Sequence, residues 1–450
     1  MTNTIATIQA RLDVAHQRLY HLLALLLPAV FFLSNGTTKT FRDLIALLFL
    51  IGLFRWKGWF RMDRVTWPAL LLAAVILGGY LWHRHSVPPD VLGGWHAHKY
   101  IIAFGFFVML AHGSIAWKRI HPTAFLISAA AGLLIHLTIS TPTEHWSAAW
   151  HGARVDFGFR NAQHAGIMFA TALLGIIFLG PRAVIRSSRH SRPWIALACI
   201  AFLALMLWGV LVTQVRAVWL GLACSFFATG IFILVHPRAR QAVQRVPNKR
   251  FLLLASAVLA ATAAAVLQPI DRIERRLAAE NISVERISGA AQFDKQYMSS
   301  SGIRIATWTA ATDWIVERPL LGWGARSVKQ LLRQHPDLDE ALKARFGHLH
   351  NSYLELAVAV GVIAVALMLA IIIGLAKMTE KHWRSGRTPT DAVLFLFGFL
   401  IFWAVVNLFE SYLNYRSGFI VNTLIFTFAY AWCLQSRTTA EKEHAGAESV

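Results

Sequence analysis

Apolar residues fill the chain in long, nearly unbroken runs, separated by short polar or basic stretches. A run that can cross about 30 Å of hydrocarbon as a helix predicts a membrane span, not the one-sided stripe of a soluble helix. Such runs lie at 19–34, 41–54, 65–82, 100–117, 123–140, 165–180, 194–213, 217–235, 251–269, 352–376, 392–409 and 418–434. The second is short and is expected to extend to one side. The stretch 194–235 is apolar for long enough to hold two helices at about 1.5 Å per residue. Its polar centre, Thr213-Gln214-Val215-Arg216, predicts a tight hairpin between them. The expected fold is therefore an all-α polytopic membrane protein of about twelve transmembrane helices. Spans one to nine fall within 1–269 and spans ten to twelve within 351–435, followed by a tail at 436–450.

The segment 270–350 breaks this pattern, since it holds no spanning run. Its 12 Lys/Arg and 10 Asp/Glu nearly balance, so it is not a polybasic membrane arm. Ile305, Trp308, Thr312, Ile315 and Val316 recur at helical spacing up to Arg318-Pro319, and Leu338, Leu342 and Phe346 recur every four residues. Amphipathic helices of this kind lie along a membrane or cover a bundle. A loop of this length is more often functional than ornamental.

Composition narrows the class. With 56% hydrophobic residues, 15% charged residues and a mean hydropathy of +0.51, the 450-residue chain is not a set of soluble domains. A formal charge of +20 invites a nucleic-acid partner, but the basic residues are distributed by topology. With the N-terminus inside, the segments predicted to be cytoplasmic hold 23 of the 43 Lys and Arg. The short loops opposite hold only Lys39, Arg42, Arg84, Lys99, Arg154, Arg160, Arg216 and Arg416. This asymmetry puts both termini in the cytoplasm and 270–350 outside it, with the bilayer as partner and no nucleic acid. Cys199, Cys224 and Cys433 lie in apolar runs and imply no disulfide framework. The first run, with no small-residue cleavage site, reads as a retained helix.

The sharpest chemical signal is His348-Leu349-His350-Asn351-Ser352-Tyr353-Leu354-Glu355, where the loop re-enters the membrane. Ser352 and Glu355 have the spacing of a capping box. His350 then sits at the mouth of the bundle, where a base meets both water and a lipid-borne substrate. The alternative is an interfacial histidine bonded to a carbonyl. His348 and His350 lack a strong third ligand beside them, and the expected first loop, 35–39, has no acidic pair, so no metal and no cofactor are expected. The counter-charges on offer are Arg154, Arg160, Arg216 and Arg304. Guanidinium pairs with phosphate oxygens through two parallel bonds, so together they point to an anionic, membrane-embedded substrate.

Five stretches in order carry a family resemblance: Arg154 with Gly158-Phe159-Arg160-Asn161-Ala162-Gln163-His164-Ala165; Thr213 to Gly221; Arg304 with Trp308; Pro319-Leu320-Leu321-Gly322-Trp323-Gly324; and His350 to Glu355. The chain resembles the O-antigen ligase (WaaL) family, within the wider group that includes O-antigen polymerases and protein O-oligosaccharyltransferases. Gln214 stands where many relatives carry a small Ser.

The resemblance implies a GT-C-like fold in the bacterial cell inner membrane, with the active site facing the periplasm. It implies transfer of a glycan from an undecaprenyl-diphosphate donor to a sugar hydroxyl of a lipid A-core acceptor. Arg216 and Arg304, with Arg160, would then hold the diphosphate, and His350 would be the base, supported by Arg154, Asn351, Tyr353 and Glu355. Direct displacement at the anomeric carbon would invert it. A lipid-linked-glycan transporter is the rival of a different class. It should show paired repeats or broken helices with charges at mid-membrane, and no repeat is visible.

Overall fold

The computed structural model describes residues 2–244, 300–338 and 340–447, apart from 57–59, 61, 93–95, 97, 118 and 119. Among these residues there is no strand. The first part of the chain forms α1 (Thr2–Val30), α2 (Asn35–Arg55), α3 (Thr66–Ser86), α4 (Pro89–Leu92), α5 (His98–Gly113) and α6 (Thr123–Ile135). A π-helical turn, His136–Ser140, prolongs α6; α7 (Thr143–Trp150), α8 (Ala162–Arg186), α9 (Arg192–Val212), α10 (Arg216–Val235) and α11 (Pro237–Gln244) follow. The later part forms α12 (Ser300–Glu317), α13 (Ser327–Gln334), α14 (Glu340–Arg345), α15 (Ser352–Arg384), α16 (Thr390–Val406) and α17 (Arg416–Ala447). A 3-10 turn, Tyr412–Asn414, joins the last two.

The chain is an all-α polytopic membrane protein. Among the described residues seven stretches are long and apolar enough to cross a membrane: α3, α6 with its π turn, α8, α9, α10, α15 and Arg416–Gln435 of α17. Helix α16 is equally apolar but shorter. Helices α1, α2 and α5 occupy three more of the expected runs, whereas 251–269 and 270–299 lie outside the described residues. One boundary is corrected: 35–39, expected as a loop, is the first turn of α2. Ser34 caps it by accepting from the Thr37 N–H at 3.0 Å, a favoured use of serine.

Helix α17 is the central one, with 89% of its spanning window buried. Phe107 of α5 and Phe395 of α16 pack against Phe426, Phe428 and Tyr430, which α17 itself supplies. Phe54, Trp67, Ile139 and Phe227 point outward from the bundle, as expected of side chains that face lipid.

Helices α12, α13 and α14 build a second, smaller core. Ile303, Trp314, Leu331, Leu332, Leu338 and Leu342 pack there with Val87 at the end of α3, Leu92 of α4 and Val358 of α15. The two expected amphipathic helices are α12 and α14, and α13 is an addition. Pro319–Gly324 ties this layer to the bundle. Helix α15 is interrupted at Gly361 (φ +74), and the backbone groups released there are taken up by that loop. The N–H of Trp323 donates to Val358 O (2.8 Å), that of Gly324 to Ala359 O (2.9 Å), and that of Val362 to Pro319 O (2.8 Å). Irregular backbone within a span is tolerated when neighbouring protein satisfies it in this way. A Cβ at Gly361 would lie 2.1 Å from Leu320 O, and one at Gly322 (φ +71) 2.5 Å from Val358 O.

Candidate active site

The loop before α15 is held from three directions. Asn351 caps the helix, its side-chain oxygen accepting from the Tyr353 and Leu354 N–H groups at 2.9 and 3.2 Å. The Trp308 indole on α12 donates to Leu349 O at 2.9 Å. Glu355 accepts from the Leu349 N–H at 3.1 Å and from the Ser411 hydroxyl at 2.5 Å. The expected capping box is therefore corrected. The cap lies one residue earlier, and Glu355 fastens the base loop to the α16–α17 connection. The Ser352 hydroxyl faces Asn407 Oδ1 (2.6 Å) and Glu410 O (2.9 Å) instead of its own helix. His350, just before the cap, has φ +52. Left-handed backbone is uncommon outside glycine and persists where the surroundings enforce it, often at functional sites.

That connection supplies the residue the sequence reading missed. Glu410, 4% exposed, faces His348 Nε2 with one carboxylate oxygen and His350 Nδ1 with the other, both at 3.2 Å. Burial alone would raise the carboxyl, but the bonds from the two histidines and their charge hold it well below the usual carboxylate range. For His348, burial lowers the imidazole, yet the bond to Glu410 and its charge outweigh that and raise it. The three side chains each offer one ligand atom, all within 4.8 Å of one another. The expectation that the histidines have no third ligand beside them is thereby corrected. The signal available was an acid within Asn407–Arg416, the polar break between two apolar runs.

Arg304, Arg160 and Arg154 lie around the same connection. Arg304, one turn before Trp308 on α12, donates from Nη2 to Phe409 O at 3.3 Å. The Arg160 guanidinium lies 4.1 Å over the Tyr415 ring, whose edge meets His348. Tyr412 reports the local field. Burial raises its hydroxyl and Glu410 raises it further, while Arg304 and Arg154 pull it back. Arg154 donates from Nε to Thr213 O (3.1 Å), bracing the hairpin from which Arg216 opens α10. Gln214 takes φ +50 in that hairpin, and its amide reaches Gly152 O at 3.0 Å. The substituted residue thus stitches the turn to the Arg154 loop. Arg216 itself is exposed at the start of α10. Tyr353 donates to Ala404 O (2.9 Å) and ties α15 to α16, a structural task.

Two sequence signals recur in the geometry. Asn161 caps α8 as Asn351 caps α15, so Arg160 and His350 each stand immediately before a capped helix. Arg216 is the first residue of its own helix. Helix N-termini carry partial positive charge and favour anions. The arrangement is a basic rim around a histidine paired with a carboxylate, suited to removing a proton beside an anion.

Residues 201–369 match the family model of the O-antigen ligase. The matched stretch contains the hairpin, Arg304 with Trp308, the Pro319–Gly324 loop and His348 to Glu355, and stops short of Glu410. No curated protein matches the chain.

Proposed function

We propose, from the premise that this chain carries the O-antigen ligase domain and belongs to that group, that it is the ligase. It transfers the glycan of an undecaprenyl-diphosphate donor to a sugar hydroxyl of lipid A-core, completing lipopolysaccharide. The chain lies in the inner membrane with both termini cytoplasmic, a reading supported by its basic asymmetry. The histidine end of the bundle then faces the periplasm.

The observation that carries the mechanism is His350 itself. Its Nδ1 is engaged by Glu410, and among the described residues its Nε2 makes no hydrogen bond. A neutral imidazole in that state takes a proton at Nε2. The acceptor oxygen attacks the anomeric carbon as its proton passes to His350. The bond from that carbon to the diphosphate oxygen breaks, the electron pair leaves with the diphosphate, and the configuration inverts. Arg216, Arg304 and Arg160 balance the charge that grows on the leaving group, which is where fixed positive charge contributes most. The guanidinium groups make a divalent cation unnecessary for that task.

The test is lipopolysaccharide from a host in which the gene is deleted. Loss of polymeric glycan from lipid A, with accumulation on the carrier, is the expected result. Single-repeat capped lipopolysaccharide would identify a polymerase instead, and normal lipopolysaccharide with an unglycosylated protein a protein oligosaccharyltransferase.

A further inference from the structure

We propose that Glu410 is a positioning residue for the transfer, fixing His350 as the tautomer whose Nε2 is the free base, with His348 as its counter-charge. This rests on the reading of His350 as the base. An ionised carboxylate only accepts hydrogen bonds, so the His350 nitrogen facing it must carry the hydrogen. The proton-accepting lone pair is then on Nε2. Both carboxylate oxygens are occupied, one per histidine, and the side chain is 4% exposed. The carboxylate therefore has little freedom to turn toward water.

Its backbone is equally constrained. Ser352, next but one to His350, donates its hydroxyl toward Glu410 O, and Arg304 donates to the preceding carbonyl, Phe409 O. The Ser411 N–H adds a bond to Oε1 at 2.9 Å. Glu410 is thus tied to the start of the same helix that follows the base. When His350 accepts the acceptor proton, the adjacent carboxylate stabilises the imidazolium without moving. Carboxylates that hold a basic histidine in one tautomer have this role in unrelated hydrolases.

The experiment uses the full-length protein in nanodiscs, with kcat, KM for the lipid-linked donor, donor binding and melting temperature measured for Glu410→Gln and Glu410→Asp. Glutamine keeps the shape but loses the charge and can accept from only one histidine through its single oxygen. Its kcat should fall about 10²-fold or more, with KM and donor binding within about threefold. Aspartate should recover part of that loss. A kcat for Glu410→Gln within about threefold of the parent overturns the proposal, as does a loss confined to KM. If glutamine does not fold, Glu410→Asp decides alone, because a carboxylate withdrawn by one methylene must lower kcat at unchanged donor binding. Chelation that abolishes activity, with zinc or manganese restoring the parent, would make the trio a metal site and also overturn it. An inactive His350→Asn beside a fully active Glu410→Gln refutes this inference alone; an active His350→Asn refutes the base assignment beneath it.

Discussion

The Trp308 indole N–H donates to the Leu349 carbonyl at 2.9 Å, across 41 residues of chain. One turn away on the same helix, Arg304 donates to Phe409 O. A single helix, α12, therefore touches both strips of backbone that carry the histidine–carboxylate pair. This accounts for the long loop: its helices share a core with α3 and α15, and that core sets the height and tilt of α12.

Trp308→Phe keeps the ring and removes the donor. Leu349 is fully buried, so its carbonyl would be left without its partner at a cost of about 1–3 kcal/mol. Turnover should fall while donor binding holds, because the arginines stay. A melting temperature and kcat equal to the parent's would show that the base loop does not depend on this bond.

Gly361→Ala should be among the most damaging single changes in the chain. The new Cβ meets Leu320 O at 2.1 Å, and φ +74 costs an L-residue about 1–2 kcal/mol before any clash. Gly78→Ala is the control, since nothing lies within 4 Å of a Cβ there and a helix favours alanine over glycine. Thermal melts of both variants should separate widely. Similar melting temperatures would mean that the break in α15 is not held by the Pro319–Gly324 loop.

The legible parts of this molecule were those decided locally. Spans follow from one hydropathy window each, and α12 follows as a helix, but not its packed face. Ile305 and Val316 are exposed, while Ile303, Ala310, Ala311 and Trp314 face the core. His350, Gln214 and Phe157, the non-glycine residues with positive φ among those described, all fall in or beside stretches that stood out as motifs. Glu410 was illegible because its meaning depends on partners about 60 residues away, and a lone acid after an apolar run looks like an ordinary helix end. The cap of α15 was misread for a related reason. Asn351 and Ser352 are equally good caps by letter, and only the distant Asn407 Oδ1, which claims the serine hydroxyl, separates them.

The His348–Glu410 pair should give stability a defined pH window. A carboxyl held below its ordinary value of 4.5 contributes fully above that value and loses its contribution as pH falls through the depressed one. An imidazole raised above 6.5 contributes fully below 6.5 and loses its contribution as pH rises through the raised value. Both are present together between 4.5 and 6.5, and melting temperature should decline above 6.5 as His348 gives up its proton. Glu410→Gln should flatten that alkaline decline. Parallel declines in parent and variant would show that the pair contributes nothing.

Arg216 and Arg304 should respond to lysine as well as to alanine. Lysine keeps the charge but not the two-pronged donor set that matches a diphosphate, so Arg→Lys at either position should lose most activity. Alanine should weaken donor binding while the protein still inserts and folds. Arg304→Ala should melt slightly lower as well, having lost the bond to Phe409 O. Normal donor affinity and turnover in both alanine variants would remove the arginines from the site.

His350→Asn is the most discriminating replacement for the base. Asparagine adopts left-handed backbone more readily than most residues, so the φ of +52 is kept at little cost. Its amide can still donate to Glu410, leaving the carboxylate paired, but it has no nitrogen able to accept a proton. Alanine, by contrast, removes the base, strains the turn and strands a buried carboxylate. Loss of a general base typically costs about 10²–10⁴-fold in rate. His350→Asn should show that loss in kcat with donor binding and melting temperature close to the parent's, and His350→Ala should add a stability defect. His348→Ala should keep substantial turnover, since Glu410 still holds Nδ1 of His350. A purely structural histidine would leave His350→Asn close to full turnover, with only alanine impaired through its stability, and an active asparagine variant would end the assignment of His350 as the base.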